Sequence, residues 1–448
     1  MTPIYLSILF SIIFFITVKI NKKYIDYQND IFNPVNIITF LSFISTVPYL
    51  ILVFLNPRVI QIDVYREIQN DFETAFLWFG IVYLVGFVSL IAGLRNKKIN
   101  IIIRKYPKFI AKIDSRKLKT AIFSSFLIGI MSFILIISII GGFSTIISNL
   151  TRRVELFAGY GYLMSLISLL MMGNYLLIYS LKFHSSKLKK IIILLLIVIT
   201  GLILSFYGGR KLFIHLIIFS ILVNHYCVKR YNSFSFNKVF IVFLFLIPYF
   251  IAMPLIRSSD NPYKYFLNIN YLIQDIKENS ESLITHLSYI DQYVFITHHF
   301  NISNYFYGSS FLDLFFAPIP SSIYKDKPPI DEGVYVRQIA LGYQIKPPMP
   351  LQEIQNKRLS ASWPVETLGN MYMNFGILGV IIGMYLLGLL IKLFYLNAKL
   401  VNFNLLPLLI YIYSVIGLQI SNLRIVSFLI TTIVLFFFIF LFFGIKKC

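Results

Sequence analysis

The chain has 448 residues, 58% of them hydrophobic and 13% charged, with a mean hydropathy of +0.77 and a formal net charge of +21. A soluble globular protein carries about 25% charged residues, and 44 Phe with 30 Tyr exclude a disordered or collagen-like chain. The composition is that of an all-α polytopic membrane protein, so the length is to be divided by the bilayer rather than by domain size.

A helical span needs roughly 20 mostly apolar residues. Eleven stretches qualify, at about 3–20, 36–55, 74–94, 120–140, 160–181, 191–206, 212–228, 239–256, 369–391, 403–420 and 425–444. The first reads as a span, because no basic region precedes it and no small-residue cleavage site follows. The longest connection, residues 257–368, separates the last three spans from the rest. The expected organisation is helices 1–8 over 1–256, a large loop over 257–368, and helices 9–11 over 369–448.

Basic residues orient the spans. One set of loops holds 24 Lys and Arg, with Lys392 and Lys399 among them, and the opposite short loops hold 7. The predicted topology has the N-terminus outside, the C-terminus inside and the large loop outside. The positive charge is then a topology signal and a contact for anionic lipid, with no nucleic acid needed. Cys227 and Cys448 fall at inner helix ends, where no pairing is expected.

The large loop carries 11 of the 19 carboxylates, and none of the others falls inside a predicted span. Its aromatic and apolar runs, such as Phe311 to Phe316 and Tyr289 to Phe295, predict a segment folded on the membrane surface. No internal repeat is visible, which weighs against an inverted-repeat transporter.

No GxGxxG, P-loop, HExxH or CxxC motif is present. Of the six histidines, only His298 and His299 are close together, and neighbours on a helix point about 100° apart, a poor geometry for one ion. The sequence therefore offers no metal site and no cofactor motif.

The informative residues are the outer cations. Arg152 and Arg153, Arg210 and Lys211, and Arg424 each stand where a span starts from the outer side. A helix N-terminus is the positive end of the dipole, so a cation there costs a few tenths of a kcal/mol to about 1. Several together make sense around an anion. The hairpin Tyr207-Gly208-Gly209-Arg210-Lys211 adds glycines that allow close backbone approach and an Arg fork suited to phosphate oxygens. It reads equally as a tight turn whose Arg reaches lipid phosphates.

Glu366 follows Trp363-Pro364-Val365 where the chain re-enters the membrane. It is either a dipole-favoured first-turn residue or a carboxylate able to take a proton from a hydroxyl. Asn370, Asn374 and Gly376 follow on the same helix. Loop aromatics such as Tyr324, Tyr335, Tyr343 and Trp363 can stack on sugars or form an interfacial belt.

This layout resembles the Wzy-type polysaccharide polymerases, the O-antigen and capsule repeat-unit polymerases related in architecture to O-antigen ligases and GT-C-like enzymes. The resemblance covers about 120–440. It rests on the spans and the large outer loop, on Gly208-Gly209-Arg210, on Pro318 to Pro328, and on the run from Glu366 through Asn374-Phe375-Gly376 to Gly379. Ser321 and Tyr324 stand where Arg and Trp are expected in that family.

The resemblance implies a glycosyltransferase of the bacterial cytoplasmic membrane, joining undecaprenyl-diphosphate-linked oligosaccharides at its outer face without a metal ion or nucleotide sugar. It also implies partnership with a chain-length regulator and a flippase. Arg210 and Arg424 would hold the diphosphate and Glu366 would activate the acceptor hydroxyl. Gly208, Gly209, Lys211, Arg152, Arg153 and Asn370 would help to bind substrate, with Lys327, Arg337 and Arg358 as loop contacts. The alternatives are an O-antigen ligase and a non-enzymatic lipid-linked oligosaccharide flippase or anion transporter.

Overall fold

The computed structural model describes residues 30–55, 71–105, 107–150, 156–157, 160–205, 211–231, 290–320, 323–355 and 362–447, with shorter stretches between 249 and 278 and residue 288. Within these residues the chain is overwhelmingly helical, and its sheet is one short antiparallel pair.

Of the eleven predicted spans, 3–20 lies outside the described residues and 239–256 nearly so. The other nine are helical. We name α1 (Pro34–Leu55), α2 (Phe72–Arg95), α3 (Ser115–Ile140), α4 (Leu169–Tyr179), α5 (Lys187–Ser205), α6 (Lys211–Val223), α7 (Ile290–His299), α8 (Gly333–Ala340), α9 (Thr367–Leu400), α10 (Leu405–Gly417) and α11 (Asn422–Phe443). Seven helices among the described residues are long and apolar enough to cross a membrane: those covering 73–95, 115–140, 163–182, 187–205, 211–228, 367–400 and 422–443. The chain is thus a membrane-embedded helical protein. Helix α10 has 13 residues and rises about 20 Å, short of the roughly 30 Å hydrocarbon core.

Contacts divide the chain into two units, and residues 257–283 and 284–368 of the large loop fall in different ones. One unit comprises 107–283, 397–412 and 431–448. Its α3 starts at Asp114, whose carboxylate accepts the Arg116 N–H, and ends at Gly141, whose φ of 97° closes the last turn. Small residues set the packing: Gly129 faces Leu170 of α4, Gly173 of α4 faces the Phe126 ring, and Gly201 of α5 faces the Phe213 ring. Asn174, fully buried, donates to Thr200 Oγ1 at 2.8 Å, joining α4 to α5. Strands Phe109–Ala111 and Ile445–Lys447 pair antiparallel, and the Asn404 amide bonds both backbone groups of Ala111.

The other unit comprises 1–106, 284–396 and 413–430. Helices α2 and α9 meet backbone to backbone: a Cβ on Gly93 would lie 2.2 Å from the Tyr385 carbonyl oxygen, and one on Gly388 would lie 2.3 Å from that of Leu90. Helix α7 lies along α2, with the Tyr293 and Phe79 rings stacked at 6.3 Å. Residues 290–299 of the predicted surface loop are therefore packed against a membrane helix. Lys392 and Lys399 correct the topology count. Both stand inside α9 and not in a loop, Lys392 with no exposed surface and Lys399 exposed in the last turn.

Helix α9 is not continuous. Gly376 has φ 61° and ψ −151°, a conformation open to glycine and costly for any other residue. The break frees carbonyls that must find donors in an apolar setting. The turns that follow α7 supply them: Phe306 N–H donates to Met373 O at 2.9 Å and Tyr307 N–H to Asn374 O at 3.1 Å. From Ile377 to Leu400 the helix rises about 36 Å, enough for the core by itself. The half-helix Thr367 to Phe375 is not needed for crossing, and it carries the candidate site.

Candidate functional site

Glu366 immediately precedes α9, and Arg424 is in the first turn of α11. Their charged groups meet at 3.7 Å, with 35% of the Glu366 and 21% of the Arg424 side chain exposed. The two helix starts are stitched together behind them. Thr367 Oγ1 donates to Gln419 Oε1 at 2.6 Å and accepts the Ile420 N–H at 2.8 Å. Asn370 Nδ2 donates to Ile420 O at 3.1 Å.

Below this pair lies a buried polar layer. Asn374 Nδ2 donates to Asn370 O at 2.8 Å and to Ser310 Oγ at 2.9 Å, while its Oδ1 accepts the Gly308 N–H at 3.0 Å. Asn422 Nδ2 donates to Ser310 O at 2.6 Å, and its N–H donates to the Glu332 carboxylate. The layer thus ties the loop to the starts of α9 and α11 and fixes the backbone around Glu366 and Arg424.

The buried acids differ in kind from Glu366. Glu332 is 1% exposed, and burial pushes its carboxyl up to about 8. Asp313, which accepts from the Tyr335 hydroxyl at 2.9 Å, is pushed up to about 7 by burial. Burial also raises Asp331, with the nearby positive charge of Arg424 working in the opposite direction.

These carboxylates account for the cation at the start of α11. A positive side chain in the first turn opposes the dipole, and the sequence alone pointed to an external anion. Glu366 beside the guanidinium and Glu332 on the Asn422 N–H supply negative or hydrogen-bond-accepting groups from the chain itself. A half-exposed ion pair contributes about 0–1 kcal/mol, the same size as the dipole penalty that it offsets.

The remaining predicted residues divide clearly. Gly208, Gly209, Arg210, Arg152, Arg153 and Arg358 lie outside the described residues. Lys211 is the first residue of α6, in the other unit. Lys327 is tied to the loop, its ammonium donating to Ala317 O at 3.2 Å and Ile319 O at 2.7 Å, and burial lowers its pKa. Arg337 sits half-buried on α8, where burial lowers its pKa. Asn370 has no exposed surface and its amide is engaged internally. It therefore positions the half-helix and does not face a substrate.

Sequence reasoning missed Glu332, Asp313, Ser310 and Asn422. The doublet Asp331-Glu332 ahead of Gly333 was the available signal, since a Cβ on Gly333 would lie 1.7 Å from the Trp363 carbonyl oxygen and the chain there must be tightly packed. Among the described residues no group of three or more His, Cys, Asp or Glu forms a metal-ligand cluster. His299 instead stacks on Phe295 at 5.2 Å.

No family description, no curated protein and no solved structure matches this chain.

Proposed function

We propose that this protein is a polysaccharide polymerase that joins undecaprenyl-diphosphate-linked oligosaccharide units at the outer face of a bacterial cytoplasmic membrane. The observation that carries the reading is the partly exposed Glu366–Arg424 pair at 3.7 Å, held at the starts of two apolar helices. A carboxylate and a guanidinium at lipid-headgroup depth are the two groups that metal-free transfer from a lipid diphosphate requires. Glu366 takes the proton of the acceptor hydroxyl as that oxygen attacks the anomeric carbon. Arg424 holds diphosphate oxygens with its planar fork and stabilises the charge that develops as the sugar–phosphate bond breaks.

The pairing suggests an order of events. While the site is empty, Glu366 and Arg424 neutralise each other. A bound diphosphate competes for the guanidinium and releases the carboxylate beside it. The base becomes available when the donor is in place.

A flippase or anion transporter is the second reading, favoured by the interruption of α9 at Gly376 and by buried Lys392 in the same helix. Broken helices and intramembrane charges are common in transport proteins. The test is reconstitution of the purified protein in liposomes with a fluorescent diphospholipid oligosaccharide. A polymerase builds a ladder of products. Movement of intact substrate across the bilayer without a ladder would replace this reading with transport.

A further inference from the structure

A cleft of about 300 Å³ opens beside the half-helix of α9, in the same unit. Its walls come from the first turns of α2, the end of α7 with the loop that follows, and Tyr372 of α9. Four aromatic side chains line it: Trp78, Phe300, Tyr305 and Tyr372. The Trp78 indole N–H donates to Tyr372 Oη at 2.7 Å, and the Tyr305 ring stands edge-on to Tyr372 at 6.2 Å. These contacts fix the aromatic wall, yet Trp78 remains 38% exposed. Its polar atom is satisfied, so what it offers a ligand is ring surface.

Thr74, His298 and Asn301 add hydroxyl, imidazole and amide groups to the same cleft, and none of its lining residues is Lys, Arg, Asp or Glu. A phosphate or a metal ion would meet no counter-charge there. An acyl chain would cover polar groups without replacing their water, at a cost. A neutral sugar ring has apolar C–H faces for the aromatic wall and hydroxyl edges for the polar groups.

We propose that this cleft binds a neutral pyranose ring. Tyr372 shares the half-helix with the residue following Glu366 and lies roughly 8 Å further along its axis. A ring in the cleft is therefore remote from the reacting hydroxyl and acts as an anchor for the glycan. Only the identity of the natural glycan rests on the glycosyl-transfer reading, since binding is measured without turnover.

The chain has two tryptophans. Trp363→Phe in the full-length protein leaves Trp78 as the reporter, in phosphatidylcholine nanodiscs. The probes are the methyl glycosides of glucose, galactose, mannose, N-acetylglucosamine and N-acetylgalactosamine. At least one should protect Trp78 from iodide quenching saturably, in the millimolar range. Thr74→Val and His298→Phe each remove a polar group and should raise the half-saturating concentration roughly three- to tenfold, as expected for one neutral hydrogen bond. Nanodiscs with brominated acyl chains should quench Trp78 weakly. Protection by none of the glycosides, or protection that neither substitution alters, overturns the proposal. Strong quenching by the brominated chains with no glycoside effect shows the cleft to be part of a lipid-facing aromatic belt. The liposome ladder assay reads the transfer step instead, so the two failures are distinguishable.

Discussion

The Glu366 carboxylate lies 3.7 Å from the Arg424 guanidinium, each at the start of an apolar helix and each partly exposed. Their alignment depends on groups that never touch solvent. Asn370 and Asn374 are fully buried, and they link α9 to the chain before α11 and to Ser310.

Replacing Glu366 by Gln removes a proton acceptor and keeps the shape. A general base contributes about 10²–10⁴-fold in rate, whereas a half-exposed ion pair contributes at most about 1 kcal/mol to stability. Glu366→Gln should therefore insert and fold as wild type while losing most polymer formation, measured as a product ladder at matched protein levels. A normal ladder would place the base elsewhere.

Gly376→Ala addresses the break in α9. A Cβ there would lie 2.4 Å from the Tyr305 hydroxyl, and the backbone would hold a residue at φ 61°. Strain of this kind costs on the order of 1–3 kcal/mol, so the thermal midpoint in detergent should fall. Adding Tyr305→Phe should recover only a fraction of the loss, since the ring carbon Cζ would still lie 2.8 Å from the new Cβ. An unchanged midpoint would mean that the interruption is not required.

Glu332 predicts a pH dependence. Its folded carboxyl is raised from an ordinary 4.5 to about 8, so the fold holds the proton more tightly than the unfolded chain does. Stability from this group is fully present below about pH 4.5, falls as pH rises towards 8, and levels off above. Glu332→Gln keeps an acceptor for the Asn422 N–H and should make the decline in thermal midpoint shallower between pH 5 and 8. Asp313, raised to about 7, should leave a residual slope. Equal slopes in variant and wild type would show that Glu332 is ionised in the fold.

The parts legible in the sequence were those that a local average detects. Nine of the predicted stretches became helices because long apolar runs in α2, α3, α9 and α11 admit no other satisfied backbone. Gly376 escaped notice as a break because hydropathy does not register one residue's φ, and the donors of Phe306 and Tyr307 come from a distant segment. Lys392 reads in the sequence as a loop residue, because a lysine near the end of an apolar run usually lies there. Glu366 and Arg424 were each legible from their place at a helix start, but their pairing was not. It depends on Thr367, Gln419 and Ile420 bringing the two starts together. Glu332 looked like one loop acid among many, and burial alone distinguishes it.

The expected orientation rests on 23 basic residues in and beside one set of loops, with buried Lys392 set aside, against 7 in the other. Ile323, in the large loop, is 76% exposed. With Cys227 and Cys448 replaced by Ser, Ile323→Cys should react with a membrane-impermeant thiol reagent in intact cells whose outer membrane has been permeabilised. Labelling only after lysis would reverse the topology.

Arg424→Lys bears most directly on the proposed chemistry. Lysine keeps the charge and loses the two-pronged fork. If the guanidinium grips a departing diphosphate, the lost contact is one that strengthens as charge develops. Removing one such donor slows a reaction by about 10²–10³-fold. A guanidinium that only anchors the protein to lipid phosphate would tolerate the change, because an ammonium reaches the same oxygens. The measurement is the rate of polymer formation from a synthetic diphospholipid oligosaccharide by purified wild type and Arg424→Lys, with donor binding measured alongside. We expect modestly weaker binding and a rate lowered by about two orders of magnitude or more. Equal rates from the two proteins would contradict the assignment of Arg424 to the leaving group.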